Sequence, residues 1–263
     1  MGSPVAPTVT LNDGSSMPVF GLGVWNIPPR KAPNAVGLAL RMGYRLIDTA
    51  RLYGNEREVG TAVRESGLPR DQVSVTTKLR GEDQGFDTAI AAAERSMEAL
   101  GLGSIDLYLI HWPTNRRRES WKALEALQKR GVCRSIGVSN YSISDLEELL
   151  NESSVVPAVN QVEFHPWAYD RGLLEYCRRH GIALEAYSPL VQGRGLRDPA
   201  IRAMAAKHAR TSSQVLLRWG LQHGCIVIPK SDREDHLREN AAVFDFVLSD
   251  KEMAALDALG EAR

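Results

Sequence analysis

The sequence predicts an α/β protein: one (β/α)8 (TIM) barrel covering residues 1–263 as a single domain, with an N-terminal hairpin and extra C-terminal helices. Three observations predict it. Short apolar runs alternate with longer amphipathic ones from residue 19 onward, the pattern of parallel strands joined by crossover helices. No composition break, long linker or low-complexity segment interrupts that alternation, which favours one closed barrel over an open sheet. The length of 263 residues also suits such barrels, which commonly run near 250 residues as one unit.

The elements follow in order. A hairpin over 8–17, turned at Asn12-Asp13-Gly14, is placed to plug the bottom of the barrel. Strand 19–24 leads to helix 32–42, and strand 46–48 leads to helix 56–66. Strand 73–77 leads to helix 88–100, where Ile90, Ala93, Met97 and Leu100 recur with the 3.6-residue helical period. Strand 105–110 precedes helix 120–130, strand 135–138 precedes helix 143–150, and strand 158–162 precedes helix 172–180. Strand 183–186 is followed by helix 199–209, then by an amphipathic helix over 211–223 just before the last strand, 226–228. A terminal helix over 249–259 has Ser249 as its cap and Glu252 three residues on. Gly43, Gly67, Gly101, Gly131 and Gly181 follow helices and suit left-handed caps.

Composition narrows the function. Lys plus Arg and Asp plus Glu are both 32, and zero net charge argues against a nucleic-acid or anionic-membrane partner. Cys133, Cys177 and Cys225 are odd in number and lack metal-ligand spacing, so they read as reduced, buried thiols. Residues 1–11 lack the pattern of a signal peptide, and no apolar run approaches the roughly 18 residues of a membrane span. The expectation is a cytoplasmic chain in which the matches to the glycosylation sequon at Asn140 and Asn151 are empty.

Four residues carry the chemistry. Asp48, Lys78 and His111 close predicted strands, and Tyr53 lies five residues past Asp48; in a parallel barrel catalytic groups converge on that edge. Reducing a carbonyl needs hydride at carbon and a proton at oxygen. A free phenol, with a pKa of about 10, is a poor acid unless its phenolate is stabilised. A neighbouring Lys78 ammonium would lower that pKa, Asp48 would anchor the ammonium, and a neutral His111 would donate to the substrate oxygen. Taken singly, each residue has a plainer reading: an ion pair, a packed ring, a core histidine. Their joint placement at strand ends favours the site. The histidines show no metal spacing, so no metal is expected.

The surrounding motifs are specific. Residues 43–60 with Asp-Thr-Ala, Tyr-Gly-Asn-Glu and Val-Gly, then Leu107-Tyr108-Leu109-Ile110-His111-Trp112-Pro113, Ile136-Gly137-Val138-Ser139-Asn140 and Ile228-Pro229-Lys230-Ser231, resemble the aldo-keto reductase family. The resemblance runs from about residue 8 to about residue 259, and within the family it is nearest the bacterial branch similar to 2,5-diketo-D-gluconic acid reductases. It implies a (β/α)8 barrel that reduces aldehydes and ketones with NADPH, with NADH tolerated, Tyr53 acting as general acid. It further implies that Ser139, Asn140 and Gln161 bind the nicotinamide carboxamide, that Tyr187 stacks on the ring, and that Ser188 and Leu190 face the pyrophosphate. Lys230 and Ser231 match contacts to the adenosine 2′-phosphate, Glu239 and Asn240 match adenine contacts, and a short helix beginning near Asp232 would add its amides. His236 stands where the family usually has Arg; Arg233 would compensate and Asp232 would oppose the phosphate, weakening discrimination against NADH. No Rossmann fingerprint is present, since Gly193 and Gly195 lack a third glycine and a preceding strand.

On the substrate side, Trp25 and Trp112 match pocket positions of the family. The stretch between Pro113 and Trp121 is short and Arg116–Arg118 reads as a solvated turn. With little chain after the last helix, an open pocket is expected, binding small carbonyl compounds broadly and weakly. The partner is a small molecule, with no nucleic acid and no membrane, and relatives of this size are commonly monomers. The rival readings are a nucleotide-sensing accessory subunit and a metal-dependent hydrolase. The intact tetrad opposes the first, and the absence of paired ligands in the sequence opposes the second.

Overall fold

The structure, a computed structural model, describes residues 6–260. It opens with an antiparallel pair, β1 (Thr8–Thr10) and β2 (Ser16–Pro18), in register Thr8 to Pro18. The turn forms as the Asn-Asp-Gly run predicts: Leu11 N–H donates to Ser15 O at 2.8 Å, Asp13 accepts from Ser15, and Gly14 takes φ +84°.

Eight parallel strands follow, each paired with its sequence neighbour: β3 (Leu22–Gly23), β4 (Leu46–Asp48), β5 (Ser74–Leu79), β6 (Ile105–Ile110), β7 (Cys133–Ser139), β8 (Val159–Glu163), β9 (Ala183–Tyr187) and β10 (Ile226–Val227). The sheet curls until its edges meet. Gly21 N–H donates to Val227 O at 3.0 Å, Val227 N–H to Val19 O at 2.9 Å, and Gly23 N–H to Pro229 O at 3.1 Å. The first predicted strand, 19–24, is regular only at Leu22–Gly23, and bridges at Phe20 and Gly23 carry the rest of this seam.

Helices α1 (Ala32–Arg41), α2 (Glu56–Glu65), α3 (Phe86–Leu100), α4 (Arg117–Lys129), α5 (Ile143–Glu152), α6 (Arg171–Arg179) and α7 (Pro199–Lys207) alternate with the strands. The additional helices are α8 (Ser212–Gln222), α9 (Glu234–Ala241) and α10 (Asp250–Asp257), the last with the expected Ser249–Glu252 capping box. Of Arg116–Arg118, only Arg116 is the expected exposed turn residue. Arg117 and Arg118 open α4, and both pair with Glu148 of α5, so cross-helix carboxylates start the helix three residues earlier than its apolar pattern predicts.

Two cores sit on the two faces of the sheet. Ile47, Val75, Tyr108, Ile110, Val138 and Ala186 face the helices. Leu46, Leu107, Leu109, Val159 and Ile226 face inward, where Leu11 and Met17 of the hairpin join them. Side chains alternate along a strand, so the parity that buries Leu46 also turns Asp48 inward, and the parity of Val159 turns Gln161 inward. The N-terminal end of the interior is thus mainly apolar, with Thr76 and Ser135 set among its leucines, while its C-terminal end carries the charged groups and the amides. Among the described residues no helix is long and apolar enough to cross a membrane. The three cysteines are free and buried, and burial pushes the thiol of Cys133 up to about 12 and that of Cys177 up to about 11.

Candidate active site

Asp48 ends β4, and the chain then makes one 3-10 turn, Arg51–Tyr53, closed by left-handed Gly54. Buried Asn55 fixes that turn: it accepts from Thr49 Oγ1 at 2.6 Å and donates to Val24 O and Ile27 O at 3.2 and 3.1 Å. Tyr53 is therefore stapled to the loop after β3. Asn55 lies inside the Tyr-Gly-Asn-Glu motif, yet its role is visible only once β3 and β4 are neighbours.

Lys78, near the end of β5, has no exposed surface. Its ammonium donates to Asp48 Oδ1 at 2.7 Å, Thr49 O at 3.0 Å and the Tyr53 hydroxyl at 3.2 Å. Burial disfavours the charge, but Asp48, then Tyr53 and Glu185, overcome it, so the Lys78 pKa is raised. Tyr53 needs a correction to the sequence reading. Burial raises its pKa, and Lys78 pulls it down only in part, so the net direction is upward. At neutral pH the phenol therefore keeps its proton.

The His111 ring lies edge-on to Tyr53, with centroids 5.8 Å apart at 75°. Burial first, and Lys78 second, lower its pKa from 6.5 to about 3, so the imidazole is neutral near pH 7. Sequence spacing alone cannot fix that state.

A second layer closes behind the four. Asn140 donates to His111 O and Ser139 Oγ, both at 3.0 Å, and accepts from the Tyr187 hydroxyl at 2.9 Å. Ser139 Oγ donates to Gln161 O at 2.8 Å, and Gln161 Nε2 donates to Asp48 Oδ2 and Glu185 Oε2, both at 2.8 Å. Asn140 and Ser188 hold left-handed backbone conformations, φ +63° and +49°, at the same edge. Such strained non-glycine residues cluster at functional sites.

These groups floor a cavity of about 260 Å³, walled by Trp25, Leu52, His111 and Trp112, and reached by Ser139, Asn140, Gln161 and Tyr187. Trp25 and Trp112 are half exposed, at 49% and 53%, so the mouth is open. A second cavity of about 430 Å³ adjoins it, lined by Ser188, Leu190, Lys230, His236, Glu239 and Asn240 among others. Trp25, Ser188 and Lys230 line both, so the two cavities adjoin as one trough. Ser231 lines neither, since its hydroxyl accepts from Arg233 N–H within the loop. The Arg233 guanidinium pairs with Asp235 at the surface. Asp232 pairs with Lys31 at 3.2 Å and Lys230 at 3.6 Å, and Lys31 went unrecognised because it lies two hundred residues earlier. Leu52 and Glu185 were also missed. Among the described residues, no group of three His, Cys, Asp or Glu is arranged to hold a metal.

The trough suits a long polyanionic cofactor with a polar head. Its inner end offers amides, hydroxyls and a flat tyrosine, and its outer end offers Lys230. Residues 17–261 match the sequence profile described as "Aldo/keto reductase family". The chain is 47% identical over 263 residues to a glyoxal reductase of Bacillus subtilis (strain 168), covering 99% of this chain and 95% of that protein. A solved aldo/keto reductase from Brucella melitensis superposes with TM-score 0.93 at 44% identity, over 97% of this chain and 99% of that one. A variant of Gox0644, solved in complex with NADPH, gives TM-score 0.92 at 43% identity, over 97% and 93%.

Proposed function

This chain belongs to the aldo/keto reductase family and is an NADPH-dependent oxidoreductase, and from that premise we propose that it reduces aldehydes and ketones to alcohols with Tyr53 as general acid. The observation that carries the proposal is the buried contact of the Lys78 ammonium with the Tyr53 hydroxyl, anchored by Asp48, at the floor of the inner cavity.

NADPH, when bound, supplies the hydride to the carbonyl carbon. Ser139, Asn140 and Gln161 would hold its carboxamide, Tyr187 would stack on the ring, and Ser188 and Leu190 would face the pyrophosphate. Lys230 would hold the 2′-phosphate end, with His236, Glu239 and Asn240 around the adenine. Tyr53 hands its phenolic proton to the carbonyl oxygen as charge builds there. Lys78, already hydrogen-bonded to that hydroxyl, stabilises the phenolate left behind. Neutral His111 donates an N–H to the same oxygen and orients it.

The substrate class we propose is small carbonyl compounds, α-dicarbonyls first, with diketo sugars as the larger alternative. The open 260 Å³ cavity walled by Trp25, Leu52 and Trp112 supports this, as does the likeness to a glyoxal reductase. An open mouth predicts KM values toward the millimolar end of the usual range. We also propose that the curled sheet acts as a closed (β/α)8 barrel forming a single domain, a reading supported by the edge-to-edge bonds at Gly21, Gly23 and Val227, in a monomeric cytoplasmic protein. NADPH oxidation over a panel of glyoxal, methylglyoxal and a simple aldehyde tests the reaction. Tyr53→Phe should lower kcat by about 10³-fold while NADPH affinity stays within about threefold. Wild-type turnover by that variant, with cofactor bound, would overturn the assignment of the acid.

A further inference from the structure

Glu185 is a carboxyl that the mechanism leaves unused. It lies in the middle of β9, fully buried, facing inward beside Asp48 and Gln161. A negative charge on it would favour the Lys78 ammonium, but Asp48 already pairs with that ammonium at 2.7 Å, and burying a second carboxyl is costly. Its Oε2 accepts one hydrogen of the Gln161 amide at 2.8 Å, and Asp48 Oδ2 accepts the other at the same distance. Glu185 Oε1 has no hydrogen-bond partner.

The consequence lies at the other end of that amide. An amide has two N–H donors and one carbonyl acceptor. Both donors are engaged by the two acids, and Gln161 Oε1 receives no hydrogen bond from the described residues while Gln161 lines the inner cavity. Reversing the amide would set Oε1 against the Asp48 carboxylate, two acceptors in contact. With Glu185 absent, the amide keeps one bond to Asp48 but loses the second restraint on rotation about its terminal bond, so Oε1 is held less firmly toward the cavity.

We infer that Glu185 is a positioning residue: together with Asp48 it clamps both hydrogens of the Gln161 amide, so that only a carbonyl oxygen faces the cavity, and it thereby selects a cofactor head group that offers an N–H donor. This rests on the reading that Gln161 holds the nicotinamide carboxamide. Burial first, and the Asp48 charge second, raise the Glu185 pKa far above the usual carboxylate range. A neutral carboxyl still accepts through Oε2 and leaves Asp48 as the counter-ion of Lys78. Gln is then the conservative replacement at 185, keeping the acceptor. Met fills similar space and removes it.

The test uses binding, not turnover. Dissociation constants for NADP+ and for its 3-acetylpyridine analogue, whose acetyl group lacks the amide N–H, are measured by calorimetry on wild type, Glu185→Gln and Glu185→Met. One well-placed hydrogen bond predicts that wild type prefers NADP+ by about tenfold. The Gln variant should keep that preference, and the Met variant should fall to about threefold or less. Preference surviving in the Met variant, or lost in the Gln variant, overturns the role of Glu185, and the Gln result decides even if the Met variant fails to fold. No preference in wild type overturns instead the placement of the carboxamide on Gln161.

Discussion

Lys78 brings a full charge into a place with no exposed surface, and donor counting explains why that is tolerable. An ammonium has three N–H groups, and here each meets an acceptor on Asp48, Thr49 or Tyr53. His111 is the opposite case, a side chain held neutral by burial and by the Lys78 charge. That has a pH consequence with a definite sign. The folded pKa lies below the ordinary histidine value, so between pH 6.5 and about 3 the unfolded chain binds the extra proton. The stability this group contributes is complete above pH 6.5 and is lost as pH falls toward 3. Melting temperature against pH should therefore fall less steeply in His111→Gln than in wild type over that window. At the outer end of the trough, His236 stands where the family resemblance leads one to expect an Arg, and Asp232 pairs with both Lys31 and Lys230. The ratio of kcat/KM for NADPH over NADH should stay below roughly 10³, equivalent to about 4 kcal/mol; a larger ratio would refute weakened discrimination. The tetrad was legible because Asp48, Lys78 and His111 close apolar strand runs, while Asp48, Tyr53 and His111 lie inside motifs. Glu185 was not, though a signal existed: in Ala183-Leu184-Glu185-Ala186-Tyr187, strand parity puts Glu185 on the face of Tyr187.

Elements were easier to read than their ends. All eight strands lie where apolar runs place them, because a strand buried on both faces leaves a near-continuous hydrophobic stretch. Boundaries moved where tertiary partners intervene. Arg117 joins α4 because Glu148 waits on α5, and β3 shortens because its neighbours Val19 and Gly21 bond across the seam to Val227. One glycine shows how an element-level contact writes itself into a motif. Gly60 of α2 meets the Leu100 carbonyl of α3 so closely that a Cβ would sit 1.8 Å from its oxygen. Gly60→Ala must push the two helices apart, which overpacking measurements place at about 2 kcal/mol. In a chain of this size that is a fall of several degrees in Tm, with kcat of the folded enzyme retained.

The whole molecule divides its labour between the two ends of the curled sheet. The hairpin buries Leu11 and Met17 against the inward leucines and valines at one end, while the trough opens at the other. Leu11→Ala should cost about 2–3 kcal/mol of stability, read from denaturant unfolding, and leave kcat/KM unchanged. A loss of turnover in folded protein would show that the two ends are coupled. The same architecture bears on chemical self-defence. Aldehydes and dicarbonyls attack free amines and thiolates, so an enzyme handling them at high concentration risks being alkylated by its own substrates. Here the thiols of Cys133, Cys177 and Cys225 are buried and kept protonated by raised pKa values. The one amine at the floor of the site, Lys78, is held as an ammonium with no lone pair to offer. At the floor of the site the reacting carbonyl thus meets a proton donor and an ammonium without a lone pair, so Lys78 cannot trap it there as a Schiff base.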